Sequence, residues 1–254
     1  MSIDRDFVDY LSTKGYHPRS SEHSDFLSEC IIAELVEHCP KLNERAKRGE
    51  VVGKLRHHQR VGHNDWVIDI AIGSCAGRPV PPEAGLMRVD SPALIQIAIE
   101  LKSIITEHGK ARRNRLRDFE AFHSYAHQYD PRTVAAAFLA VNSAEHFYSP
   151  LRDRNDITKH STVKKTARQV ASDAVDLFRA IPLRHREVDA PGLEAMGVIV
   201  IEHDNLAFHP QKKKHAAMHV PTQIAPVPPS LPVGDPMHYQ TMIQRICQAY
   251  SQRF

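Results

Sequence analysis

The stretches DWVIDIAIG (residues 65–73) and ALIQIAIELK (residues 93–102) both alternate large apolar residues with small or polar ones. This period of two is typical of β-strands that bury one face. The apolar face is formed by Ile68, Ile70 and Ile72 in the first stretch and by Ile95, Ile97, Ile99 and Leu101 in the second. The opposite face carries Asp69 in the first and Gln96, Glu100 and Lys102 in the second. If the apolar faces pair, Asp69, Glu100 and Lys102 meet on one side of the sheet.

The composition places the chain among ordinary globular proteins. Of its 254 residues, 42% are hydrophobic and 25% charged, with a net charge of +3, which excludes collagen-like, coiled-coil and wholly disordered chains. The longest apolar runs, residues 134–141 and 196–201, are far shorter than the ~20 residues of a membrane helix. Residues 1–10 lack the pattern of a secretory signal. We therefore predict a cytoplasmic protein without membrane contact. The four cysteines form no C-x-x-C pair, so a zinc ribbon or a dense disulfide framework is not indicated.

Helices and strands are predicted to alternate outward from the two strands. The N-terminus is expected to be irregular to about residue 23. The predicted elements that follow are a helix over 24–39 ended by Pro40, strands over 51–61, 65–73 and 93–102, a helix from 111 or 115 to 129, a strand over 134–141, a helix over 162–181, a strand over 197–201 and a helix over 238–250. This order favours an α/β protein with a mixed sheet. We predict one domain over residues 1–220, with a proline-rich connector and C-terminal helix (221–254) packing on it.

The charged face of the two strands is costly without a purpose. Two neighbouring carboxylates repel each other, and burial adds a desolvation cost on the order of several kcal/mol per ion. A divalent cation would offset this cost, and Mg²⁺ prefers carboxylate oxygens together with water and substrate phosphate oxygens. Lys102 could orient a water and balance the charge that builds on phosphorus. The pattern predicts metal-assisted attack of water on a phosphodiester.

Asp90 is the alternative to Asp69 as a metal ligand, because it lies nearer to Glu100 in the sequence. We favour Asp69, since it belongs to a strand with an apolar face. The sequence Asp90-Ser91-Pro92, by contrast, has the composition of a turn.

Asp69 followed by Ile99-Glu100-Leu101-Lys102 resembles the D…E-x-K motif of the PD-(D/E)xK nuclease superfamily. The predicted order of elements over residues 24–142 is similar to the αβββαβ core of that superfamily, the restriction-endonuclease-like fold. Ile68 stands where the full motif has proline. The resemblance implies that Asp69, Glu100 and the Leu101 carbonyl bind Mg²⁺ and that Lys102 is the catalytic lysine.

The same resemblance draws attention to the first predicted helix, since several of these nucleases have a glutamate there near the metal. Glu34 interrupts the apolar stripe of that helix and is one candidate, with Glu29 as its rival. A glutamate at the edge of the core is the simpler interpretation of Glu34.

A basic cluster follows the second strand, with Lys110, Arg112, Arg113, Arg115 and Arg117 close together. Charge runs usually mark a solvated helix face. Next to a candidate phosphodiesterase site, contact with the phosphates of double-stranded DNA is the better prediction, and we assign it to Lys110, Arg112, Arg113 and Arg115. The run Lys212–Lys214 is interpreted as a solvated loop, and His123 and His127 as polar flanks of a helix.

These observations predict a Mg²⁺-dependent DNA endonuclease, by resemblance most like a type II restriction endonuclease. A homodimer is expected, because two active sites are needed to cut both strands. The alternatives are a nuclease of the same fold in DNA repair, in restriction of modified DNA or in antiviral effector cleavage, and a non-catalytic DNA-binding protein. Lys102 disfavours the last, since a binding module does not need a lysine beside two carboxylates.

Overall fold

A mixed seven-stranded sheet organises the computed structural model, which describes residues 2–18, 20–106, 108–148, 157–206 and 220–254; the side chain of Lys110 also lies outside the description. The helices in these ranges are α1 (Ile3–Lys14), α2 (Glu22–His38), α3 (Pro40–Lys47), α4 (His108–Tyr129), α5 (Ala167–Phe178) and α6 (Tyr239–Arg253). The strands are β1 (Val51–Val61), β2 (Asn64–Ser74), β3 (Arg88–Val89), β4 (Leu94–Ile104), β5 (Val134–Asn142), β6 (His146–Tyr148), β7 (Ile157–Lys159), β8 (Ala195–His203) and β9 (Thr222–Ile224).

The strand order of the sheet is β3-β1-β2-β4-β5-β8-β9, and β6 pairs with β7 in a separate hairpin. Strands β1, β2 and β4 form an antiparallel meander, after which β5 and β8 run parallel to β4. Every residue of β5 is buried, as expected for a central parallel strand covered on both faces. The prediction of an α/β chain with a mixed sheet is confirmed.

Helices cover both faces of the sheet and enclose two cores. One core joins α1, α2, α3 and α6 to the sheet and includes Phe7, Leu35 and Tyr250. The other joins α4 and α5 to the opposite face and includes Phe119 and Phe178. The sheet is therefore the middle of three layers. No helix in the described ranges is long and apolar enough to cross a membrane.

The alternation predicted for β2 and β4 is interrupted. The register between these strands shifts beside Gly73, where a Cβ would lie 1.9 Å from the Leu94 carbonyl oxygen. Gln96 consequently does not share a face with Glu100. It accepts hydrogen bonds from Arg45 Nη1 at 3.1 Å and Tyr250 Oη at 3.2 Å, on the side of α3 and α6.

Two of the isoleucines also differ from the predicted pattern. Ile95 packs in the core of α4 and α5, because the register shift reverses the upstream end of β4. Ile68 lies in that core too, beside Trp66, whereas Ile70 and Ile72 face the other helices. The single apolar face predicted for each strand was wrong at these two positions.

Several boundaries also differ from the prediction. The N-terminus is helical rather than irregular, because Ile3, Phe7 and Leu11 recur at helical spacing and are buried. Pro40 begins α3 instead of only ending α2, since proline is suited to the first helical position. Helix α5 begins after Thr166, whose side chain forms a capping box. This leaves Val163, which lies within the predicted helix over 162–181, fully exposed.

A disulfide joins Cys39, between α2 and α3, to Cys247 in α6, with a Cα–Cα distance of 5.1 Å. The spacing of the cysteines gave no indication of this pair, which are 208 residues apart. It fixes the C-terminal helix to the helical layer on which α6 packs.

Replacement of Cys247 by serine should therefore destabilise the chain, by about 2–4 kcal/mol, because the unfolded chain is then free of a long cross-linked loop. Urea unfolding checks this value, and reduction of the wild type should lower stability by a similar amount. The control is Cys75→Ser, which removes a free thiol and should change the free energy of unfolding by less than about 0.5 kcal/mol. Equal stabilities of the Cys247 and Cys75 variants would contradict the structural role.

Candidate active site

Strands β2 and β4 separate partway along their length. Their antiparallel ladder ends at the pair Ile70–Ile99. Beyond that pair β2 continues beside β1, and β4 continues beside β5. Asp69 and Glu100 are the first residues past the last pair, one on each strand. Because opposite residues of an antiparallel pair point to the same side, the two carboxylates emerge together at this fork.

The carboxylate of Asp69 is fixed by the backbone of β4. Its Oδ2 accepts a hydrogen bond of 2.7 Å from the Leu101 N–H, which points to the side that β2 has left. Burial raises the pKa of Asp69, while the Leu101 N–H and the charge of Lys102 oppose the increase. The side chain thus bridges the two strands where their backbones no longer do.

Glu100 is the more strongly perturbed of the two acids. It is 9% exposed, and its Oε1 accepts a hydrogen bond from Lys102 Nζ. Burial raises the pKa of Glu100 to about 7, the negative charge of Asp69 adds to the effect, and Lys102 opposes it. A carboxyl group with a pKa near neutrality, next to a second carboxylate and a lysine, is typical of functional sites.

Charged groups from three further elements surround this centre. Asp25 in α2 further raises the pKa of Asp69, and Asp118 in α4 that of Glu100. Arg56 in β1 binds Asp25, with Nη2 and Oδ2 3.2 Å apart. Arg56 has a φ of 49°, the only positive φ among the non-glycine residues described, and lies opposite Asp69 in the hairpin. Such backbone strain is concentrated at functional sites.

A cavity of about 220 Å³ lies beside Lys102, between the starts of α2 and α4. Arg115 lines it, so Lys102 is accompanied by a second cation. Arg115 Nη1 is 3.0 Å from Asp118 Oδ2, and the Ser103 hydroxyl is 3.0 Å from that of Tyr16. The candidate site therefore combines two carboxylates, a lysine and an arginine at one opening of the sheet.

Asp90, the alternative to Asp69, lies away from this centre. It follows β3 at the edge of the sheet, where its backbone N–H donates to the Gly53 carbonyl. Its carboxylate is exposed and forms an ion pair of 3.1 Å with Arg88. The structure brings Asp69, and not Asp90, next to Glu100.

The glutamates of the first predicted helix are also outside the centre. Glu34 is buried and pairs with His38 at 3.1 Å, one turn further along α2. Glu29 lines a separate groove between α1 and α2. The acid that α2 contributes near Asp69 is Asp25, in its first turn.

The basic cluster divides between two sides of α4. Arg112 and Arg115 are partly buried and share the helix face of Phe119, whereas Arg113 and Arg117 are exposed on the other face. Arg115 alone of these four reaches the cavity beside Lys102. The side chain of Lys110 and the run Lys212–Lys214 lie outside the described residues.

The side chains of His123 and His127 are buried rather than peripheral. His127 Nε2 is 3.3 Å from Glu194 Oε2, in a cluster that also contains Arg184 and Arg253. This ionic cluster holds the start of β8 against α4 and α6 and contains neither Asp69 nor Glu100. The interpretation of the two histidines as polar flanks of α4 was wrong in this respect.

Sequence reasoning missed Asp25 and Arg56 as site residues. The helix dipole favours an acidic residue in the first turn of a helix. The position of Asp25 in α2 is therefore explained without any role in a site. Arg56 lies in a strand where alternation does not reveal a left-handed backbone. A cation directly opposite Asp69 in the hairpin was the available signal.

No group of three or more His, Cys, Asp or Glu side chains in the described ranges forms a self-sufficient metal cluster. The candidate centre offers two carboxylates, together with the backbone at Leu101. No family model, curated protein or solved structure matches the chain. The functional conclusion therefore rests on the geometry of this site.

The pKa of Glu100 predicts how stability depends on pH. Its ordinary value is 4.5 and its value in the folded chain about 7, so the folded state binds the extra proton between these pH values. The contribution of Glu100 to the free energy of unfolding should be greatest below pH 4.5 and should fall as pH rises from 4.5 through 7, by about 3 kcal/mol.

Glu100→Gln should remove this dependence and be more stable than the wild type at pH 8, when urea unfolding is measured with EDTA. Glu120→Gln, a change on the exposed side of α4, is the control and should follow the wild type. Parallel pH profiles for Glu100→Gln and the wild type would show that Glu100 is not perturbed.

Proposed function

We propose that this chain is a Mg²⁺-dependent DNA endonuclease with a restriction-endonuclease-like core of the PD-(D/E)xK type. The observation that supports this proposal is the fork of β2 and β4, from which Asp69 and Glu100 emerge together with Lys102 bound to Glu100. The order α2-β1-β2-β4-α4-β5, without the short helix α3 and the short strand β3, agrees with the αβββαβ pattern.

The residues at the fork suit Mg²⁺. Asp69 Oδ1 and Glu100 Oε2 receive no hydrogen bond from the described part of the chain, whereas the other oxygen of each carboxylate is fixed. Mg²⁺ is usually bound by one or two carboxylates, with water and substrate phosphate completing its shell. Two carboxylates and the Leu101 carbonyl therefore form an adequate ligand set, and the raised pKa of Glu100 indicates that a cation would be favourable there.

The side chains have distinct tasks in hydrolysis. Bound Mg²⁺ would supply Lewis-acid stabilisation of the phosphoryl oxygens and lower the pKa of a water. The Leu101 N–H holds the Asp69 carboxylate in place. Lys102 is held at the centre by Glu100 and can direct its ammonium group to the attacking water or to the developing charge on phosphorus. Arg115 provides a second positive charge for the scissile strand.

We infer a type II restriction role, acting as a homodimer on double-stranded DNA in the cytoplasm. Arg112, Arg113 and Arg115, together with Lys110, would contact backbone phosphates next to the catalytic centre. Phosphate contacts of this kind position the DNA but do not read its sequence.

Cleavage of plasmid DNA tests the proposal. The wild type should cut with Mg²⁺ and not with EDTA, and Lys102→Ala or Asp69→Asn should lower the rate at least about 100-fold. Lys102→Ala should retain DNA binding in a gel-shift assay. Asp90→Asn is the matched control and should cut normally.

The pattern of products distinguishes the nuclease roles. Discrete fragments would favour sequence-specific restriction, whereas a smear or a need for modified DNA would favour another nuclease role. If the wild type cuts neither unmodified nor modified DNA, the proposal is refuted.

The proposed contact of α4 with DNA phosphates is tested by the salt dependence of DNA binding. Replacing Arg112, Arg113 and Arg115 by alanine should weaken duplex binding and reduce the log–log salt slope by about 0.9 for each lost phosphate contact. The control is Arg186→Ala, in the loop before β8 at the opposite end of the parallel strands. Unchanged affinity and slope in the triple variant would remove this helix from the DNA interface.

A further inference from the structure

A second polar cavity, of about 510 Å³, lies between the start of α4, the β6–β7 hairpin and the segment that leads into α5. It is distinct from the cavity beside Lys102. Its lining is rich in cations and hydroxyl groups, among them Arg112, Lys159, Lys165, Ser161 and Thr162. Asp173 is the acid that lines it, and its carboxylate is paired with Lys165.

His108, the first residue of α4, forms part of the wall of this cavity. The residue is 3% exposed and both ring nitrogens are enclosed by protein, with the Asn142 carbonyl as the nearby acceptor. Burial and the neighbouring His160 lower the pKa of His108 to about 3, so the ring is neutral and one nitrogen carries a proton. His108 therefore adds no charge to the wall, and the positive charge of the cavity comes from Arg112, Lys159 and Lys165.

The neighbouring His160 is, by contrast, fully engaged. Its Nδ1 and Nε2 lie 2.7 Å from the carbonyl oxygens of Ala144 and Thr106, respectively. The rings of His108 and His160 meet edge to face with their centroids 4.4 Å apart. His160 therefore fixes the wall against which His108 packs, and the position of His108 is not a consequence of a loose loop.

Arg112 lies one turn after His108 and lines the same cavity. No carboxylate in the described ranges forms an ion pair with it, whereas Arg115 on the same helix is paired with Asp118. The start of α4, where the helix dipole is positive, also borders this cavity through His108 and Gly109. The unpaired guanidinium of Arg112 thus shares this space with the side chains of Lys159 and Lys165 and with the start of α4.

We propose that this cavity is a phosphate-binding site, separate from the Asp69–Glu100 centre, in which Arg112 donates to the phosphate oxygens and Lys159 and Lys165 add positive charge. Arginine is suited to this role because its planar fork matches two oxygens of one phosphate. The group could belong to a DNA strand or to a free phosphate or nucleotide. The DNA source rests on the proposed function, while the phosphate site itself does not.

The arrangement along α4 gives the DNA source a specific form. Arg115 lines the cavity beside Lys102, and Arg112, one turn earlier, lines the phosphate cavity. A strand with one phosphate held by Arg112 would therefore place a nearby phosphate at the catalytic opening.

Isothermal titration of the full chain with inorganic phosphate, at constant ionic strength, tests the site directly. The wild type should bind phosphate saturably, and Arg112→Gln should weaken binding about tenfold or more, the loss expected for a charge-assisted hydrogen bond. The matched control is Arg117→Gln, which removes the same charge from the exposed side of the same helix and should change affinity by less than about twofold. Thr162→Ala is a second variant of the lining and should also weaken binding.

Two further arms identify the source of the phosphate. If it is DNA, inorganic phosphate should displace a duplex from the wild type more effectively than from Arg112→Gln. If it is a nucleotide, deoxythymidine monophosphate should bind more tightly than phosphate and should not compete with duplex. Absence of saturable phosphate binding, or equal weakening by Arg112→Gln and Arg117→Gln, would overturn the proposal. Failure of the plasmid assay alone would leave the phosphate titration unaffected, so the two proposals fail separately.

Discussion

The single bond from the Leu101 N–H to the Asp69 carboxylate is the constraint on which the candidate site depends. A sheet that separates exposes backbone donors, and buried donors must be satisfied. Here the Asp69 carboxylate accepts a hydrogen bond from one of these donors, the Leu101 N–H. The same hydrogen bond therefore satisfies the backbone and fixes the carboxylate. The packing of Ile70 against Ile99 ends immediately before this point, which makes the position of the fork a property of the hydrophobic core.

The electrostatic character of the site follows from that geometry. Glu100 is placed in a buried position beside an acid that cannot move away, and Lys102 offsets the repulsion only in part. Burial of charge in this way is unfavourable for folding, and strongly perturbed carboxyl groups of this kind cluster at functional sites. The outer charges follow the same logic, because Arg56 is drawn to Asp25 while it also lies opposite Asp69.

Much of this arrangement could be predicted from the sequence, for identifiable reasons. The strands were predictable because isoleucine alternation is a local pattern, and Asp69 and Glu100 could be paired because antiparallel strands share faces. The positions of Gln96 and Ile95 could not, since they depend on a register shift that alternation does not reveal. Helix α1 was missed because its apolar stripe is sparse, and the bond between Cys39 and Cys247 because spacing along the chain does not report distance in space.

The register shift beside Gly73 divides β4 into two halves whose side chains alternate in opposite phase. Since this shift reverses the side-chain phase of the strand, the upstream half can anchor the C-terminal helix through Gln96 while the downstream half presents Glu100 to the opposite layer. Without that glycine a continuous strand would force both tasks onto one face. Substitutions that adapt the anchor to a changed C-terminus can therefore accumulate during evolution without turning the carboxylate away from its partners.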